Sequence, residues 1–451
     1  MSHEATVIGA GLAGSEAAWQ LAQRGVQVNL LEMRPAAMTP VHRTDGFAEL
    51  VCSNSFKGMD PTSATGALKL TLAEMGSLVL ATALDCRVSA GSALAVDRER
   101  FSREVTQRLA AHPNVTIVRG EVAALPAGEV IVATGPMTSP AMVEALKAYM
   151  TDLDLAFYDA AAPIVDASSL DLERLHAQSR YGKGGADYLN SFMDRSAYDR
   201  FIDALLDADR VIAREFENNE LFNACQPVEQ VARSGHDALR FGALKPVGLV
   251  DPAIGHRPWA AVQLRAENAE RGAYNLVGFQ TNLTFPAQDR VFRMIPGLEH
   301  AEFSRYGVMH RNTFIDAPHV LDGGFALPAE PRVHFAGQVT GTEGYLEAVA
   351  SGLLAALSVY ARLEGLAEVT LPKENVFGAL AAYATDPQTK GYQPMHVNYG
   401  IMPPTEKPIR SKHDRHAALA ARSASAIRAF ISARPDLRFE MPYRLPDIEE
   451  R

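Results

Sequence analysis

The chain is 451 residues long, 47% hydrophobic and 21% charged, with a formal net charge of −10. That length carries two or three domains with real cores, and the composition excludes a disordered or fibrous protein. The acidic balance excludes a generally basic nucleic-acid binder, so a polyanionic partner has to be met by a local basic patch. Three widely spaced cysteines, Cys52, Cys86 and Cys225, show no CxxC pairing, so no disulfide framework and no metal site is expected. No apolar run approaches the roughly 20 residues that cross a bilayer, and the first motif begins too near Met1 for a signal peptide. A cytoplasmic location is the expectation.

The first predicted elements are a strand, a glycine turn and a helix: Val7-Ile8-Gly9-Ala10-Gly11-Leu12-Ala13-Gly14. Gly9 suits a tight turn, Gly11 lacks the Cβ that would hold a pyrophosphate away, and Gly14 lets the helix pack closely on the sheet. The pyrophosphate then meets unpaired helix N–H groups. Helical spacing runs from Ala13 to about Arg24, Gly25 stops it, and Val26 to Glu32 reads as a second parallel strand. Glu32 is placed to accept both ribose hydroxyls, which a 2′-phosphate would forbid, so the adenosine half belongs to FAD or NAD rather than NADP.

Two later segments favour FAD. Glu129 to Val132 is a short apolar strand ending in Ala133-Thr134-Gly135, as expected where a strand passes a cofactor. Val333 to Ala336 leads into Gly337-Gln338-Val339-Thr340-Gly341-Thr342-Glu343-Gly344-Tyr345 and an apolar helix. A helix N-terminus delivered there stabilises negative charge on a reduced ring. No second GxGxxG occurs, so a reduced nicotinamide docks transiently. With the front motif at the N-terminus and the back motif past 333, the fold class is α/β. A doubly wound, glutathione-reductase-like FAD-binding Rossmann domain (1–167 and 306–451) is interrupted by an α+β insertion over 168–305 that reads the substrate. Within the insertion, a helix is predicted over Asp199–Glu217 and strands over Ala260–Arg265 and Tyr274–Gln280. Helices follow at Lys373–Ala384 and His413–Ala433, flanking a Gly/Pro/Tyr-rich stretch.

Cys52 lies in a polar loop running to Lys57, a cation able to lower a thiol pKa. Cys225 is followed by Arg233, Arg240 and Lys245, which favour a thiolate and an anionic partner together. A buried small hydrophobe is the expectation for Cys86 and the open alternative for the other two.

The segments Gly9–Ala18, Leu30–Pro35, Leu50–Lys57, Gly242–Leu249 and Gly337–Tyr345 together resemble the TrmFO family, bacterial folate- and FAD-dependent tRNA (uracil-5-)-methyltransferases. The similarity runs nearly end to end. It implies methylation of the T-loop uridine of tRNA at C5, with methylenetetrahydrofolate as carbon donor, FADH2 as reductant, and NADH or NADPH to reduce the flavin. By the family's pattern Cys225 matches the nucleophile that adds to uracil C6, and Cys52 a second cysteine beside the flavin. The second role is proton removal or stabilisation of a flavin-bound intermediate.

The FAD-binding set comprises Gly9, Ala10, Gly11, Leu12, Ala13, Gly14, Glu32, Thr134, Gly135, Gly337, Gln338, Gly341, Thr342, Glu343, Gly344 and Tyr345, with Tyr345 also a stacking candidate. Asn282, Arg293 and Arg311 are polar candidates for the folate or uracil pocket. For tRNA, the locally basic stretch with Lys407, Arg410, Lys412 and Arg415 is the candidate surface. Arg180, Lys183, Arg233, Arg240, Lys245, Arg257 and Arg265 form a candidate second one, and Trp259, Tyr392 and Tyr399 are available for stacking. No obligatory protein partner is inferred. Competing readings are an MnmG-like flavin enzyme of wobble-uridine modification, a non-catalytic flavin-binding RNA chaperone, and a generic flavin oxidoreductase. The MnmG family carries a long extra helical C-terminal domain, whereas only residues 353–451 follow the back motif here.

Overall fold

The computed structural model describes residues 3–39, 41–150, 156–160, 162–182, 185–212, 226–389 and 392–439. A six-stranded sheet has the order Ala326–Leu327, Glu330–Phe335, Glu129–Val132, Glu4–Ile8, Gln27–Glu32, Val115–Arg119. All its pairings are parallel except that of the short edge strand Ala326–Leu327. The central strands are continuous apolar runs, such as Val130-Ile131-Val132, because both faces of a parallel sheet are covered. Chain order reverses between Glu4–Ile8 and Glu129–Val132, and the crevice beyond their carboxyl ends is where such folds hold ligands.

The front helix, Leu12–Gln23, is buried almost throughout because it lies between this sheet and the back helix, Tyr345–Glu364. Two glycines make that packing possible. A Cβ on Gly14 would stand 1.8 Å from Gly9 O, and one on Gly352 would stand 2.1 Å from Ala13 O. The back helix departs from the sequence expectation in one respect. Its 20 residues are long and apolar enough to cross a bilayer, yet 78% of its most apolar window is buried within the fold.

A second, antiparallel sheet has the order Leu175–Ala177, Tyr188–Met193, Ala260–Ala266, Ala273–Leu276, Ile164–Asp166, Phe303–Arg305. It has its own core, with Tyr198, Phe201, Phe279 and Phe292 fully buried against it. Its earliest strand, Ile164–Asp166, precedes residue 168. Strands Ala156–Ala160 and Met309–Thr313 pair as an antiparallel ribbon where the chain leaves and re-enters the first unit. The helix expected over 199–217 runs instead over Arg195–Leu206, because the Asp194 carboxylate accepts from Ala197 N and fixes an earlier start. Positions 213–217 lie outside the described residues. The strand expected over 274–280 stops at Leu276, since Gly278 turns the chain with φ +81°.

Candidate active site

One cavity of about 420 Å3 opens at the switch point, running from the glycine turn past Glu32 and Thr134 to the start of the back helix. Gly9, Gly11, Leu12, Ala13, Glu32, Thr134, Gly135, Gly337, Gln338, Glu343, Gly344 and Tyr345 line it, as does Cys52. A Cβ on Gly11 would meet no protein atom within 4 Å, so the space beside this turn is left for a ligand. Four of the expected residues lie behind the wall. Ala10 N donates to Glu32 Oε2 at 2.9 Å, Gly14 packs on Gly9 O, and Thr342 Oγ1 donates to Gly337 O at 3.1 Å. Gly341 is covered by the Tyr392 hydroxyl.

Glu32 is clasped by Arg34, whose Nε lies 2.8 Å from Oε1. Burial would raise this carboxyl, but the hydrogen bonds and charge of Arg34 outweigh it and hold the group below its ordinary value. It is a carboxylate, as a hydroxyl-accepting group must be.

At the other end, Tyr345 is committed to a clamp. Its hydroxyl accepts from Cys52 N at 2.9 Å and Ser53 N at 3.1 Å and donates to Ser53 O at 3.1 Å. The first residue of the back helix thereby fixes the Cys52 loop. Burial and the neighbouring Cys52 push the Tyr345 phenol up, so its proton stays in place. Lys57, expected to act on the thiol, turns its ammonium to His396 and Glu347 instead. Burial and Arg98 lower the half-buried Arg305, while Cys52 pulls it the other way. Cys86 is fully buried, and burial pushes its thiol up to about 11, as an inert core cysteine requires.

Cys225 lies outside the described residues, but both ends of its segment are anchored. Val211 N donates to Asn282 O at 2.8 Å, Ile212 N to Asn282 Oδ1 at 3.1 Å, and Val228 N to Gln280 O at 2.7 Å. Gln280 lines the cavity. Buried Glu229 secures the same loop, accepting from Thr281 Oγ1 at 2.9 Å and Asn282 N at 2.6 Å. Asn282 is therefore a clasp for this segment and does not line the pocket as expected. Arg293 is also turned away, bound to Ala301 O and Asp289. Arg311 stands opposite Tyr158 in the ribbon register, and nothing further of it is described.

The second basic surface is smaller than expected. Arg265 is buried, its Nε 2.8 Å from Asn54 Oδ1, where it joins the two units. Arg180 is bound to Gln263 and Val247 O, and Lys183 lies outside the described residues. Arg233, Lys245 and Arg257 are exposed, whereas Arg240 stacks on Trp259 at 3.6 Å and covers its ring. Tyr392 is buried with its hydroxyl on Thr340 O, and Tyr399 donates to Thr62 O. Neither Trp259 nor Tyr392 offers an open face for stacking. Lys407, Arg410 and Lys412 are exposed just before or at the start of helix Lys412–Ala433, while Arg415 is partly buried and reaches back to Ile409 O. Among the described residues, no group of three His, Cys, Asp or Glu side chains is placed to hold a metal ion.

The sequence reading missed one cluster in the cavity wall. Lys57 Nζ lies 2.9 Å from His396 Nδ1 and 3.8 Å from Glu347 Oε1. Burial would raise the Glu347 carboxyl, but Lys57 and His396 hold it below its ordinary value. No local motif announces this group, because Lys57 lies hundreds of residues before Glu347 and His396, which are themselves far apart in the chain.

A glycine turn, an acidic second-strand end, a back loop-helix and an interposed antiparallel unit define a two-unit α/β protein of the FAD-binding, Rossmann-like class. The family model for glucose inhibited division protein A matches residues 4–367. A protein of Heliobacterium modesticaldum named methylenetetrahydrofolate--tRNA-(uracil-5-)-methyltransferase TrmFO is 51% identical over 428 residues, 95% of this chain and 98% of its own. The TrmFO of Geobacter sulfurreducens is 52% identical over 429 residues, with the same two coverages, 95% and 98%. The chain therefore belongs to the glucose inhibited division protein A family and, within it, to the TrmFO group. Among solved structures, Aquifex aeolicus GidA in its form II crystal superposes with a TM-score of 0.71 at 16% identity, covering 100% of this chain and 76% of that one. At that identity the likeness shows the fold.

Proposed function

We propose that this chain methylates the T-loop uridine of tRNA at C5, taking the carbon from methylenetetrahydrofolate and reducing equivalents from FADH2 regenerated by NADH or NADPH. The activity named for relatives about 50% identical along 95% of the chain supports the substrate and the donor. One observation carries the chemistry. The loop holding Cys52 lines the cavity, as does Gln280, whose carbonyl accepts from Val228 N, three residues after Cys225 in the chain.

The residues fit FAD. The open space at Gly11 suits a pyrophosphate, the Glu32 carboxylate suits ribose hydroxyls, and the back helix points its N-terminus at the far end. Bound there, FAD supplies the hydride that completes the methyl group. Uracil C5 is a feeble nucleophile, and addition of the Cys225 thiolate at C6 makes the ring an enolate whose C5 attacks the activated methylene. Cys52, held by Tyr345, takes the C5 proton as tetrahydrofolate leaves, giving an exocyclic methylene; hydride addition to that methylene completes the methyl group and expels the Cys225 thiolate from C6. Because the target lies inside a folded RNA elbow, the nucleotide turns out to reach the cavity; a T-arm footprint unchanged by the enzyme would count against this.

The test incubates the flavin-loaded protein with unmodified tRNA, methylenetetrahydrofolate and a reduced nicotinamide, with 5-methyluridine read by mass spectrometry. The expected result is product from the parent and none from Cys225→Ala, with flavin absorbance retained in both. Methylation persisting in the variant removes Cys225 from the mechanism.

A further inference from the structure

We propose that Lys57, backed by His396 and the buried Glu347, forms a charged station at the ring end of the cavity that sets the reduction potential of the bound isoalloxazine, Lys57 raising it and Glu347 lowering it. The inference rests on the FAD reading above. Lys57 has φ +65°, a left-handed conformation that residues with side chains rarely hold and that persists only where the surroundings impose it. That backbone sits on strand Ser55–Gly58, pinned by the buried Lys69, whose Nζ donates to Gly58 O at 2.8 Å. Burial lowers Lys69 to about 7, and Lys69 is not among the residues that line the cavity, whereas Lys57 is.

The two signs differ in exposure. Both side chains line the cavity, Lys57 41% exposed and Glu347 2%. Glu347 Oε1 also accepts from Val397 N at 3.2 Å, which fixes the carboxylate in place. Glu32 and the glycine turn mark the nucleotide end of the cavity, so the wall formed by Lys57, His396 and the first turn of the back helix is the end left for the ring. A ring that accepts electrons gains negative charge, which a nearby cation stabilises and a nearby carboxylate opposes.

The test measures the midpoint potential of the flavin-loaded protein without tRNA, by equilibration against a redox dye. Lys57→Met is expected to weaken binding of reduced relative to oxidised flavin tenfold, lowering the potential by about 30 mV for a two-electron couple. Glu347→Gln is expected to raise it by a similar amount, and Lys57→Arg to leave it near the parent value. Loss of structure alone would not move the two charge-removing variants in opposite directions. Shifts of the same sign, or ratios changed less than twofold in both, overturn the proposal. A parent protein that takes up no flavin overturns the FAD reading as well, whereas bound flavin with an unmoved potential overturns this inference alone.

Discussion

Gly11 and Gly14 stand three residues apart in one turn, and the structure gives them opposite tasks. At Gly14 an added methyl would meet Gly9 O at 1.8 Å, backbone against backbone with no flexible side chain to yield. Gly14→Ala is therefore expected to cost stability by overpacking, about 1–3 kcal/mol or more, in the apoprotein and the loaded protein alike. At Gly11 the methyl meets nothing of the protein. Gly11→Ala is expected to leave apoprotein unfolding unchanged while flavin affinity falls about tenfold or more, since the methyl occupies the space of the pyrophosphate. Thermal unfolding of the stripped protein alongside flavin titration separates the two. A Gly11→Ala protein that binds flavin normally would remove the turn from the cofactor site. The same contrast runs through the expected site residues: Gly135 and Gly344 line the cavity, whereas Thr342 lies behind it with its hydroxyl spent on Gly337 O.

The front helix makes its principal polar tie through Glu16, a fully buried carboxyl that accepts from Gln20 Nε2, Ser77 Oγ and Val79 N. Burial is the largest influence and pushes it up to about 7 despite those bonds. A carboxyl raised in the folded state binds its proton more tightly there than in the unfolded chain. Its contribution is complete below the ordinary value of 4.5 and is lost as the pH rises through about 7. The span amounts to roughly 3 kcal/mol. Glu16→Gln is expected to remove that loss, so its melting temperature should gain on the parent between pH 5 and pH 8; parallel curves would show that Glu16 does not titrate in this window. Elements were legible where period and punctuation coincided. The front and back helices declared themselves by apolar spacing beside glycine turns, and strand Ala260–Ala266 by its apolar run. The three-residue strands Ile164–Asp166 and Leu175–Ala177 carry too few positions to show a period, and their pairing is set by partners about a hundred or more residues away or on a long antiparallel neighbour. The Lys57–His396–Glu347 group was invisible for the same reason: only tertiary packing brings it together. Asn282 and Arg265 misled because a polar residue in a polar-looking segment reads the same whether it faces a ligand or ties two pieces of chain together.

Across the whole molecule the net charge of −10 opposes any polyanion, so tRNA has to be drawn to places where the local field is positive. Lys407, Arg410 and Lys412 are exposed around the N-terminus of helix Lys412–Ala433, where Ser411 caps the backbone by accepting from Asp414 N. Side-chain charge and the positive end of a 22-residue helix thus point at one place. Asp414 in the first turn subtracts from that field, which leaves the three cations as the dominant attraction. If they contact phosphates, each releases counterions on binding and adds roughly 0.7–0.9 to the slope of log affinity against log salt. Replacing all three by alanine is expected to lower that slope by about 2–3 and to weaken tRNA binding similarly for every tRNA sequence, while flavin binding and Cys52 alkylation stay unchanged. Measuring affinity for unmodified tRNA from about 50 to 200 mM salt checks it. An unaltered slope would move the docking face to the exposed cations of the other unit, Arg233, Lys245 and Arg257, which lie beyond the anchored segment that carries Cys225.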